Sequence, residues 1–106
     1  MINRLQIPDF MLASFDSTHD AMRAEQVGKA AGLKVRLIPT PETVRAGCGL
    51  SLRMPPEAAP AVAHMLEENG VKVSHWTLSA TIDGSRQFLK KKSPLASKEK
   101  NNDLPG

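Results

Sequence analysis

The sequence predicts an α+β domain of the ferredoxin-like kind, a split βαβ sandwich whose antiparallel sheet carries two helices on one face. Three observations predict it. The elements read strand, helix, strand, strand, helix, strand (βαββαβ) along the chain. Each half repeats one grammar, a helix closed by glycine and followed by a short alternating strand. A length of 106 residues holds one hydrophobic core and no second one. Right-handed crossovers favour the same arrangement.

Phe10 to Phe15 is a short apolar run bounded by Asp9 and Asp16, the pattern of a buried strand. Ser17 or Thr18 caps the helix that follows, and Asp20 suits its positive first turn. Ala21, Met22, Ala24, Val27, Ala30 and Ala31 give that helix a face of small and apolar residues, and Gly32 closes it as a left-handed cap. Leu33, Val35 and Leu37 then alternate with Lys34 and Arg36, the period-two pattern of a half-buried strand running to Ile38. This strand offers an edge to a second copy of the chain, guarded by Lys34 and Arg36. Pro39 and Pro41 stop it, and residues 39–47 form a loop. Leu50, Leu52 and Met54 alternate with Ser51 and Arg53 in a third strand. Pro55 and Pro56 end it, and Pro56 suits the start of the second helix. Ala59, Val62, Ala63 and Leu66 form the apolar stripe of that helix, and Gly70 is its left-handed cap. Val71 and Val73 open a fourth strand that reaches Leu78. The phase slips before Trp76, as a bulge would require.

These elements place one α+β domain at residues 8–78 and a basic, disordered tail at residues 79–106. The tail is rich in Lys, Ser, Asn, Pro and Gly, and lacks the apolar area that would offset its ordering entropy. Only Phe88 and Leu89 interrupt it. The net charge of +3 belongs to the tail. Residues 1–78 carry eight cations and eight acids, whereas residues 79–106 carry six cations and three acids. A neutral domain with aromatics at only 4 % offers little to nucleic acid, so contact with RNA is left to the tail. No stretch has signal-peptide character and none approaches the length of a membrane-spanning helix, so the protein reads as soluble and cytoplasmic.

A single cysteine, Cys48, excludes an intramolecular disulfide and a paired-cysteine metal site. No phosphate-binding glycine loop, Ser/His/Asp triad or metal cluster is present, and no cofactor is called for. In the expected topology the loop before the third strand lies at the sheet end where the first helix begins. Cys48 is therefore expected near Ser17, Thr18 and His19. A thiolate is the reactive form of cysteine, and the unpaired N–H groups of a helix N-terminus favour an anion. Arg45 and Arg53 add positive charge. Gly47 and Gly49 flank the sulfur with no side chains, leaving room for a partner and for unusual backbone angles. The plainer alternative stays open. Lone cysteines are usually buried small hydrophobes, and Cys48 shares the parity of Leu50 and Leu52. His19 reads either as a general base or supporting donor or as a solvated first-turn residue, Ser17 and Thr18 read more readily as caps than as catalysts, and His64 and His75 read as exposed or structural.

The stretch FDSTHDAMRAEQVGKAAGLKVRLIPTPETVRAGCGLSLRMPPE resembles the bacterial selenium/sulfur carrier protein-like family. The S-T-H-D-A turn, the L-I-P-T-P stretch, the G-C-G-L-x-L-R strand and the E-E-N-G-V ending carry the resemblance, which covers residues 10–78. It implies a carrier that holds sulfur or selenium on Cys48 as a persulfide or selenosulfide. Its partners would be donor and acceptor enzymes, which makes the chain a transfer protein more than a free-standing enzyme. The chain departs from the small sulfur carriers of tRNA thiolation, which place cysteine in a Cys-Pro motif opening a helix. The alternative is a non-catalytic module that binds proteins or ligands, with the loop from Pro39 to Gly49 as its surface and Cys48 as a structural residue.

Overall fold

The computed structural model describes residues 8–44 and 47–95. Strands β1 (Phe10–Ser14), β2 (Arg36–Pro39), β3 (Leu50–Met54), β4 (His75–Ile82) and β5 (Ser85–Lys91) form one antiparallel sheet in the order β2-β3-β1-β4-β5. Helix α1 (Thr18–Ala30) links β1 to β2. Helix α2 (Ala59–Glu68), entered through a 3-10 turn at Pro56–Ala58, links β3 to β4.

Alternation along the strands sorts the two faces. Met11, Ala13 and Phe15 from the β1 segment, Leu52 and Met54 from β3, and Trp76 from β4 share one buried cluster with Ala21 and Ala24 of α1 and Val62, Ala63 and Leu66 of α2. The core is mostly aliphatic, as the scarcity of aromatics required. Helix α1 reaches the sheet through the small residues Ala21, Ala24 and Gly28, which lets its backbone sit close to the strands, whereas α2 buries Val62 and Leu66 beside its alanines. Ser17 is the N-cap of α1: its side chain accepts from the Asp20 N–H at 3.1 Å.

Three expectations are corrected. Among the described residues the sheet has five strands where four were expected. The segment from Ser79, assigned to a disordered tail, continues β4 to Ile82, turns through Asp83 and Gly84, and returns as β5. Asp83 and Gly84 have φ of 52° and 78°, the two positive values of a tight two-residue hairpin turn. The ladder of main-chain bonds to β4 supplies what the lysine-rich composition could not. Residues 96–106 of the expected tail lie outside the described residues. The valines at 71 and 73 also precede the fourth strand. The Val71 N–H closes α2 on the Leu66 carbonyl, and the chain joins the sheet when the Ser74 N–H reaches the Ser14 carbonyl at 2.7 Å. The phase slip is therefore the entry into the sheet. Likewise β2 begins at Arg36, because the Leu33 N–H still bonds to the Gly28 carbonyl of α1.

The face away from the helices holds a chain of hydroxyls. Ser14 and Ser51 are directly opposed in the β1–β3 register, fully buried, and 3.1 Å apart at Oγ. Ser51 Oγ lies 2.7 Å from Thr40 Oγ1. Ser51→Ala takes from Ser14 its side-chain partner inside the sheet. The expected cost is about 1–3 kcal/mol, the penalty of an orphaned buried polar group. Urea denaturation would read it as a lower midpoint at unchanged slope, and a loss near zero would show that the hydroxyls are satisfied in another way.

At the outer margin of β2, Glu25 of α1 accepts the Leu37 N–H at 3.0 Å while also pairing with Lys29. Two residues on, Pro39 has no N–H to present.

Candidate functional site

The end of the sheet where β1 gives way to α1 is built by three segments. After Ser14 the buried Phe15 leads into the Asp16-Ser17 turn. After β2 the Thr40 N–H bonds to the Gly49 carbonyl at 2.8 Å, so the loop leaves and re-enters the sheet at one point. The loop then folds back, and the Cys48 N–H donates to the Phe15 carbonyl at 2.8 Å. Gly47 is what permits that contact. Its φ is 63°, and a Cβ at this position would overlap the Phe15 carbonyl oxygen. Gly49, with φ of 92°, has open space beside it.

This fixes Cys48 beside Phe15, two residues before the cap of α1. Its side chain is half-buried and packs against the core cluster on the same side as Leu50 and Leu52. The thiol donates weakly to the Leu50 carbonyl at 3.9 Å. The residue is thus neither sealed inside nor fully free.

The other candidates fall into three groups. Ser17 is engaged as the helix cap. Thr18 and His19 open α1 and are exposed; the His19 side chain is 85 % accessible, with Nδ1 4.0 Å from the Asp20 carboxylate. Among the described residues, none of these three side chains bonds to the cysteine sulfur. Arg45 lies outside the described residues. Arg53 departs from expectation. It lies five residues beyond Cys48, about 16 Å of extended chain, and its guanidinium stacks over the Phe10 ring at 4.0 Å. Phe10 is the first residue of β1, so Arg53 marks the opposite end of the sheet. Arg53 is near the cysteine along the chain, but the direction of β3 carries it away.

The sequence marks Phe15 as part of a buried apolar run and nothing more. Its carbonyl, which positions the Cys48 backbone, leaves no mark in a sequence. Ser74 was missed in the same way; its hydroxyl and N–H both donate to the Ser14 carbonyl and tie the start of β4 to this end of the sheet. No helix among the described residues is long and apolar enough to cross a membrane.

Fold and site together define a small α+β domain that presents one cysteine, between two glycines, on a loop at the head of its first helix. The chain belongs to the family described as "Putative Se/S carrier protein-like", whose model matches residues 10–77. That span runs from β1 into β4 and includes the whole cysteine loop. No curated protein and no solved structure matches the chain.

Proposed function

We propose that the protein carries sulfur or selenium on Cys48 between a donor and an acceptor enzyme. The observation that carries this reading is the glycine-flanked cysteine pinned at the head of α1, in a chain whose family description names that role. The fold is read with it as a ferredoxin-like sandwich over residues 10–82, with β5 added beside β4.

The transfer needs no outside oxidant. The Cys48 thiolate attacks the terminal sulfur of a donor persulfide. The donor S–S bond breaks, the donor thiolate leaves, and a persulfide remains on Cys48. An acceptor nucleophile then takes the outer sulfur and Cys48 departs as thiolate. Bare glycines on both sides admit the partner's active site. The first turn of α1, where Ser17 engages the Asp20 N–H, begins two residues after Phe15, and free N–H groups at a helix start favour negative charge brought close to them. Ser17, Thr18 and His19 support the site by shaping this turn. Donor and acceptor are proteins.

Incubation with a cysteine desulfurase and cysteine, followed by intact mass measurement, is expected to add one sulfur to the wild type and none to Cys48→Ser. Equal addition to both, or none to either, would end the proposal. One observation favours a second reading. The thiol leans on a carbonyl and on core residues, which suits a structural cysteine in a binding module. That reading expects Cys48→Ala to keep all activity while changes in the loop from Pro39 to Gly49 abolish it.

A further inference from the structure

The end of the sheet remote from Cys48 holds a cleft of about 370 Å³ lined by Phe10, Lys34, Arg36, Arg53 and Pro55, with Asp9 the one acid among the described lining residues. Two features set its cations apart from ordinary surface charges. Register pairs Arg36 directly with Arg53 on adjacent antiparallel strands, so two like charges stand side by side on one face of the sheet. Such an arrangement is unfavourable unless something negative lies between them. Arg53 is also held: its guanidinium lies flat over Phe10 at 4.0 Å, which orients its planar N–H edges. Among the described residues, neither arginine nor Lys34 forms an ion pair.

We propose that this cleft binds a dianionic tetrahedral oxyanion of the phosphate type. Lys34, Arg36 and Arg53 outnumber Asp9 in the lining, and the Arg86 guanidinium also lies over the Phe10 ring at 5.4 Å, so the cleft carries an excess of positive charge that suits a phosphate dianion better than a monocarboxylate. Paired guanidinium groups offer the bidentate geometry that such an anion takes. The space exceeds a bare anion and falls in the range of small-molecule sites, so a phosphomonoester with a compact organic remainder fits best. The site is separate from Cys48 and does not depend on sulfur transfer.

Titrations of the full chain with inorganic phosphate and with ribose 5-phosphate, followed by amide NMR, test it. Saturable shifts are expected at residues 34–36 and 53–54, weakened about tenfold in Arg36→Gln and in Arg53→Gln. Tighter binding of ribose 5-phosphate assigns the site to phosphomonoesters, and equal binding to free phosphate; either supports the oxyanion site. Arg36 is exposed, so its variant is expected to keep the wild-type spectrum elsewhere. Non-saturating shifts spread equally over Lys90, Lys91 and Lys92, or shifts unchanged in both variants, overturn the proposal.

Discussion

Phe15→Ala is expected to destabilise the domain by about 3–5 kcal/mol, the range for truncating a fully buried aromatic. The ring has no exposed surface and sits in the core cluster shared by sheet and helices. For a domain of this size such a loss lowers Tm by on the order of 20 °C and removes much of a typical total stability. Thermal unfolding by circular dichroism would measure it. A shift of only a few degrees would mean that the core collapses around the gap, and would deny the residue the anchoring role assigned to it. Phe15→Leu, which keeps most of the volume, should recover most of the loss.

The second large effect is expected at Gly47. Alanine there must adopt a positive φ at a cost of about 1–2 kcal/mol. Its methyl group also cannot coexist with the Phe15 carbonyl, so the loop must lift and forfeit the Cys48 N–H bond, about 1 kcal/mol more. Gly70→Ala is the control, because its φ is 71° and nothing lies near its missing Cβ. Urea denaturation should show Gly47→Ala as the costlier change. The same variant should alter sulfur uptake by Cys48, whereas Gly70→Ala should leave it unchanged. Equal costs for the two glycines would show that the loop does not depend on the close approach to Phe15.

Much of this molecule could be read from its sequence because local signals and tertiary packing agree. Ser17 before Thr18 and Asp20 marked the helix start. The alternation of Leu50, Leu52 and Met54 marked a strand and its buried side, and Gly32 and Gly70 marked two helix ends. The fifth strand was obscured by composition. Lysines at 90, 91 and 92 outweighed Phe88 and Leu89, yet Asp83-Gly84 between two runs of strand-forming residues is the strongest short-range hairpin signal. Giving that dipeptide precedence over the lysine content would have found β5. The site was legible in part. Connectivity placed the cysteine loop at the head of α1, because it depends only on strand directions. The Phe15 carbonyl and the removal of Arg53 to Phe10 depend on register and backbone geometry, which single residues do not encode.

The carboxylate of Glu25 on the Leu37 amide has a further consequence for how molecules meet. Sheet growth by an incoming chain needs donors and acceptors in turn along the margin. Beside β2, one outward donor is already taken and the next is absent because its residue is proline. A visitor would find carbonyls alone, half of the bonds that would hold it. Polymerisation through that flank is discouraged by one side chain from the molecule's own helix together with one proline in the strand.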